Sequence, residues 1–266
     1  MRKRQISRLG WVRDLPDPRD FMFSAPLAVL QALPQAKDLQ PFPVYNQGRI
    51  GSCTANALAG AVQFDRLKDG RSPDFVPSRL FIYYNERVIE GGPTNDAGAQ
   101  LRDGIKTLHQ QGVCPETEWP YDDTPATYEG GPFPAGSRSA TEPSKSCYSD
   151  AAKFKITSYQ RLNQTLGQLQ GCIAAGFPFA FGFTVFDGWY SQQPRPRVIP
   201  LPAQSEHPVG GHAVLCVGYD STTGWFKIRN SWGSSEGDNG YFYMPYAYVT
   251  EPTLASDFWA INAVKS

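Results

Sequence analysis

Histidine is scarce in this sequence: 266 residues contain three, His109, His207 and His212. Chemistry that needs an imidazole therefore has few places to sit. Long apolar runs are missing, and nothing approaches the roughly 18 residues of a membrane-spanning helix. The opening "MRKRQISRLGWVRDLPDPRDFMF" lacks the apolar stretch of a secretory signal, because charge and proline interrupt it throughout. Net charge is missing too: 25 basic residues balance 25 acidic ones, which leaves no whole-molecule attraction to nucleic acid or membrane. The cysteines are few and odd in number, Cys53, Cys114, Cys147, Cys172 and Cys216. A chain of this length does not depend on disulfide staples. The expectation is a soluble monomer of a reducing compartment, cytoplasmic or exported without a signal.

What is present separates into regions. Apolar residues make up 41%, enough for a full core. Residues 1–36 form a Pro-rich arm whose "LPDPRD" favours turns over a long helix or strand. Arg2, Lys3, Arg4, Arg8 and Arg13 make its start basic, a candidate contact for an anionic ligand, although a solvated terminus is the simpler reading. Trp11, Phe21 and Phe23 are apolar anchors that would lie across a cleft or pack behind the body. From Cys53 to Lys68, Ala55, Leu58, Ala59, Val62 and Leu67 recur near helical spacing. "PSRLFIYYNERVIEGG" and "GAQLRDGIKTLHQQG" predict two more helices, each closed by glycine.

Residues 120–147 are dense in Pro, Gly, Ser and Thr and predict a surface loop at a lobe boundary. Beyond it, one helix near Leu162–Ala175 precedes "FAFGFTVF", "HAVLCVGYD", "GWFKIRNSW" and "GYFYMPY", which predict strands of a sheet or barrel. The fold class is therefore α+β, with a helical lobe over 37–147 and a β lobe over 148–266. Residues 187–211 predict a stiff proline-rich wall.

Cys53 stands where the helix of "NQGRIGSCTANALAGAV" should begin, a position that favours a thiolate, yet a cysteine there is also an ordinary small buried residue. The histidines narrow the choice. His109 lies on a helix and His207 in the polar loop "QSEHPVGG", where both are expected on the surface. His212 opens the apolar strand "GGHAVLCVGYD", and Asn230 follows in "FKIRNSWG" with Trp232 beside it. An amide there orients an imidazole without titrating, and an indole shields that hydrogen bond from water. Cys, then His, then Asn is an order that a thiol hydrolase can use. A metal set of His207, His212 and Cys216 is the rival reading, although its spacing matches no common zinc pattern.

Gln47, the "GSC" of residues 51–53, "GHAVLCVGY" and "NSWG" with "GDNGYFYM" together resemble the papain family of cysteine peptidases, in particular its bacterial branch. The resemblance spans most of residues 33–266. It implies a two-lobe papain-like fold with the cleft between a helical lobe and an antiparallel sheet or barrel. It further implies Cys53 as nucleophile, His212 as general acid/base, Asn230 as orienting amide and Gln47 as oxyanion donor. The substrate implied is a peptide or protein, with no cofactor and no metal. The stretch from "NDAGAQ" onward resembles one wall of the family's cleft, which implies substrate contacts from Gly98, Ala99, Gln100 and Leu101, with Gly182, Gly211, Ala213 and Trp232 opposite. Small residues opposite suggest room for an apolar or aromatic side chain.

The chain departs from the family at several points. Ile50 stands where a second cysteine is usual, Thr54 where an aromatic follows the nucleophile, and Cys147, which resembles a disulfide half, has no cysteine at the family's partner position. The arm is shorter than the family's usual propeptide and is expected to regulate the cleft. Within the same fold, amide or transfer chemistry on cell-wall or other non-protein peptides, or silent binding, are the alternatives.

Overall fold

A computed structural model describes residues 7–39, 42–71 and 74–264. Arg2, Lys3 and Arg4, the core of the basic cluster, lie outside them, so the anionic-ligand expectation falls beyond the described residues. Arg8 and Arg13 are inside and are both committed to the body, Arg8 Nε donating to Gly48 O at 3.0 Å and Arg13 Nε to Ser256 Oγ at 2.9 Å.

The arm holds only short elements, as its prolines require: β1 (Trp11–Val12), β2 (Met22–Phe23), α1 (Leu27–Gln31) and β3 (Ala36–Asp38). Helices α2 (Cys53–Lys68) and α3 (Arg79–Ile89) follow, then β4 (Ala99–Gln100) leading into α4 (Leu101–Gln110). Ser78 caps α3 by accepting from Phe81 N at 3.2 Å. Gly91 and Gly112, at φ 80° and 84°, close α3 and α4 in the left-handed conformation glycine tolerates. Helix α2 is buried from Cys53 to Arg66, which its alanines and Gly60 permit; a Cβ at Gly60 would lie 2.8 Å from the Arg229 guanidinium. Leu67, expected on its buried face, is instead exposed at the helix end.

The loop of residues 120–147 is irregular except for a single 3-10 turn, Arg138–Ala140, and the start of α5 (Lys145–Ala151). The predicted helix near Leu162 begins too early: Leu162 ends β5 (Ile156–Leu162), and α6 (Leu166–Ala174) follows a turn. Then come β6 (Phe179–Phe186), α7 (Asp187–Tyr190), β7 (Pro208–Asp220), β8 (Trp225–Arg229), β9 (Tyr241–Pro245), α8 (Tyr246–Val249) and β10 (Ala255–Val264). Strand order β2-β5-β10-β6-β7-β8-β9, with β3 on β7, makes one eight-stranded sheet. It is antiparallel apart from the β2–β5 pair. The fold is α+β, and the sheet is an open one with no closed barrel. Helix α2 packs on β7 and β10, and Gly10 bridges its N-terminal end to the start of β7, packing on Gly51 and pairing with Gly211.

Candidate active site

Cys53 is the first residue of α2, preceded by Ser52 as N-cap, and is fully buried. The loop before it is held by side chains from elsewhere. Gly51 N donates to Asp96 Oδ1 at 2.9 Å, Tyr83 OH donates to the same oxygen at 2.5 Å, and Ser52 Oγ shares a hydrogen with Tyr121 OH at 2.6 Å. Thr54 and Ile50, the two departures from the family pattern, are both buried. Thr54 Oγ1 donates to Glu86 Oε2 at 2.8 Å, and burial raises the Glu86 pKa well above its ordinary value. The Ile50 carbonyl accepts from Gln47 Nε2 at 2.9 Å.

His212 and Asn230 come together because β7 and β8 are antiparallel neighbours in the register Leu215↔Arg229, and Asn230 follows β8 directly. His212 Nε2 and Asn230 Oδ1 are 2.7 Å apart. The Asn230 oxygen can only accept, which puts the hydrogen on Nε2. Trp232 stacks on the imidazole with ring centroids 4.7 Å apart and the planes inclined by 26°, and Trp189 of α7 stacks behind it at 6.1 Å. The other ring nitrogen, Nδ1, is buried and makes no hydrogen bond of good geometry among the described residues, although the Arg8 backbone lies close enough to the ring to act on it. An unsatisfied buried acceptor is costly. It is also the atom that an acid/base role toward Cys53 requires.

Gln47 is fully buried and held to Ser231 twice: Ser231 Oγ donates to its Oε1 at 2.6 Å, and its backbone N donates to Ser231 O at 2.8 Å. One Nε2 hydrogen goes to Ile50 O, and the second is the one an oxyanion contact would use. Nucleophile loop and Asn230 segment are thus tied together through Gln47.

The arm runs through this site. Arg8 backbone lies beside the His212 ring, Leu9 is fully buried, and Gly10 packs so closely that a Cβ there would lie 1.7 Å from Gly51 O. Ala99 N donates to Gly10 O at 2.9 Å, and Trp11 and Val12 pair in parallel with Ala99 and Gln100. The Trp11 indole lies against Gly182 and Gly211, where a Cβ would stand 1.9 Å and 2.6 Å from its atoms. Ala213 pairs with Gly182 on the same wall. Most of the expected substrate-contact residues therefore line one groove, and this chain's own residues 8–12 fill it. Leu101 differs: it is buried at the start of α4 and belongs to the core. Of the apolar anchors, Trp11 enters the cleft, Phe23 is buried beside β5, and Phe21 is exposed.

Beneath this groove the arm is latched. Asp14 accepts from Trp259 Nε1 at 2.9 Å and Arg102 N at 3.1 Å, and its own N donates to Asp257 Oδ2 at 2.8 Å. Burial, with Asp257 beside it, pushes Asp14 up to about 6, and burial raises Asp257 as well. Burial drives His212 down to about 4 against the Asn230 hydrogen bond, so the imidazole is neutral at pH 7 while the arm is in place.

His109 and His207 are exposed, His109 Nδ1 lying 3.1 Å from Ile156 O. The rival metal set is not assembled: Cys216 Sγ donates to Gly218 O at 3.5 Å, and among the described residues the metal-capable group is Cys114, Glu118 and Cys147. Sequence reasoning missed Asp96, Tyr121, Glu86 and Asp14. Tyr121, in "WPYDD", lay inside the stretch that resembles the cleft wall, but nothing local marks its contact with Ser52.

A sequence model described as papain family cysteine protease matches residues 35–258. Xylellain, a cysteine protease from Xylella fastidiosa, is similar at 52% identity and a TM-score of 0.96, the match covering 100% of this chain and 98% of that one. An uncharacterized peptidase C1-like protein of Acanthamoeba polyphaga mimivirus is 36% identical over 287 residues, 97% of this chain and 88% of its own length. Oryzain gamma chain of Oryza sativa subsp. japonica is 25% identical over 226 residues, 80% of this chain and 55% of its own length.

Proposed function

The chain belongs to the papain family of cysteine proteases, and from that premise we propose that Cys53, His212, Asn230 and Gln47 are the residues that hydrolyse its peptide or protein substrates. The observation that carries this reading is the His212 ring, oriented through Nε2 by Asn230 and left with Nδ1 unsatisfied. In this mechanism Cys53 gives its proton to His212 and attacks the scissile carbonyl. The oxyanion is stabilised by Gln47 Nε2 and the Cys53 backbone N–H, and His212 then protonates the leaving amine. Water hydrolyses the remaining thioester, with His212 as base. Incubation with a thiol-reactive epoxide, followed by mass spectrometry, is expected to label Cys53. Labelling confined to another cysteine refutes the assignment.

Gln47→Ala is expected to lower turnover by about 100- to 1,000-fold, the usual cost of one oxyanion donor. A loss below about tenfold, measured on a fluorogenic peptide amide, removes Gln47 from that role.

The arm is proposed to be a regulatory segment that occupies the cleft of its own monomeric chain. A peptide substrate then takes the place of Gly10–Val12 along Gly98, Ala99 and Gln100, with a bulky apolar side chain where Trp11 sits. Cleavage of a peptide library should be enriched for Trp, Phe or Leu at one position close to the scissile bond; a flat profile counts against this use of the Gly182, Gly211 and Ala213 wall.

The arm's docking is expected to depend on pH through two groups of opposite sign. His212 falls from its ordinary 6.5 to about 4 when covered, so its contribution to docking is present above 6.5 and lost as pH falls toward 4. Asp14 rises from 3.8 to about 6, so its contribution is present at low pH and lost as pH rises through 6. The two nearly cancel between pH 4 and 6. Asp14→Asn is expected to remove the compensation, so that Cys53 alkylation, scaled to an arm-free chain, rises by up to about tenfold from pH 6 to pH 5. Superimposable profiles for the variant and the parent overturn the latch.

A further inference from the structure

Cys114 and Cys147 stand outside the cleft and meet each other. Cys114 follows α4, and its carbonyl accepts from Ser78 N at 2.9 Å. Cys147 sits in α5, where Ser144 Oγ donates to its sulfur at 3.1 Å, and the sulfur reaches Glu118 O at 3.7 Å. Both thiols are buried, and their sulfurs lie within 4.8 Å of each other and of the Glu118 carboxylate. The remaining cysteines are engaged differently: Cys172 Sγ donates to Phe177 O and Cys216 Sγ to Gly218 O, while Cys53 is buried at the start of α2.

A metal is the first use to weigh for such a group. Glu118, however, shares a hydrogen with the Asp150 carboxyl, which is in turn paired with Lys153, so the carboxylate is turned toward its acidic neighbour. Two sulfurs alone do not complete a tetrahedral site. Two thiols with sulfurs within 4.8 Å of each other are instead candidates for a covalent bond, whose sulfur separation is about 2.0 Å. Burial raises the Cys114 pKa, which favours its neutral thiol beside the Cys147 sulfur. Exposed Glu118 lies at the surface end of the group.

We infer that Cys114 and Cys147 form a dithiol that closes to a disulfide when the protein meets a low-molecular-weight disulfide such as oxidised glutathione. The Cys147 thiolate, accepting from Ser144, attacks one glutathione sulfur and releases a glutathione thiolate. The Cys114 thiolate then attacks the Cys147 sulfur of the mixed disulfide and releases the second. Two electrons pass to glutathione, and the two protons lost by the cysteines end on the two glutathione thiols. The bond closes the base of residues 115–146, the segment that carries Tyr121, whose OH donates to Gln47 O at 3.0 Å, and Glu129, which accepts from Ser7 N of the arm at 2.5 Å. Oxidation therefore staples a segment that supports both the nucleophile loop and the arm, without touching Cys53.

The test equilibrates the full chain with oxidised or reduced glutathione, alkylates it and maps the peptides. The expected result is a single cross-link joining Cys114 to Cys147. The thermal midpoint should rise by about 5–10 °C, as expected for a closed loop of roughly 30 residues in a chain of this size, and fall back on reduction. Cys114→Ser and Cys147→Ser should each abolish the rise. If either variant fails to fold, the cross-link map of the unaltered chain decides alone. Full alkylation of both thiols after oxidation, or a cross-link joining Cys172 to Cys216 instead, overturns the proposal. So does stoichiometric binding of added zinc that protects both thiols in the reduced protein, which would make the pair a metal site.

Discussion

Cys53→Ala is expected to reduce hydrolysis of a fluorogenic peptide amide to background, a loss on the order of a millionfold in turnover, while leaving the fold intact. No other atom at the start of α2 can form the acyl intermediate. Ser52 Oγ is engaged with Tyr121, and Thr54 Oγ1 points to Glu86. Alanine fits the same buried space as a slightly smaller side chain, and α2 is already alanine-rich, so the helix should persist with a change in stability near 1 kcal/mol. Circular dichroism separates the two effects. A folded variant with appreciable turnover would mean that Cys53 is a structural helix-start residue and that the nucleophile is elsewhere.

Expelling the arm should have the opposite effect, raising activity by roughly a hundredfold. The Trp11 indole is almost fully buried against Gly182 and Gly211, and Gly10 O holds Ala99 N. Burial of an aromatic side chain contributes about 3 kcal/mol, and each 1.4 kcal/mol is a tenfold change in occupancy. An intramolecular occupant of that strength leaves only about one molecule in a hundred open to substrate. Deleting residues 1–32 tests this bluntly, because it also removes Phe23, which is buried, and would uncover apolar surface. Gly10→Val is the cleaner variant: its Cβ would stand 1.7 Å from the Gly51 backbone, so residues 8–12 must leave the groove while Phe23 stays. A synthetic peptide of residues 7–14 added to that variant should inhibit it again. Unchanged turnover and affinity in both altered chains would make the arm a packing element only.

Legibility followed the range of the interactions. Helix α2 could be read from its alanine spacing, and α3 and α4 from their glycine stops, because these signals act within a few turns of chain. Strands β6 and β9 could be read from their aromatic runs. The catalytic candidates could be read because scarcity of histidine left few choices and the motifs occur in one order. Strand β5, "ITSYQRL", was harder: its half-buried polar residues alternate weakly, and its place is set by β10, about a hundred residues away. Asp96, Glu86 and Tyr121 carry no local mark of their contacts with residues 51, 54 and 52.

The sequence by itself marked candidate side chains for the chemistry: a thiol at a helix start, an imidazole after two glycines in an apolar strand and an amide one strand later, to which the family resemblance added a glutamine six residues before the thiol. Residue type and order supplied the candidates, and the resemblance to a known family supplied their roles. Only the tertiary structure decided that residues 8–12 fill the groove, that His212 is driven toward its neutral form, and that Cys114 meets Cys147. Each depends on burial and on contacts between segments that the sequence sets far apart, and such contacts arise from the packing of the whole core.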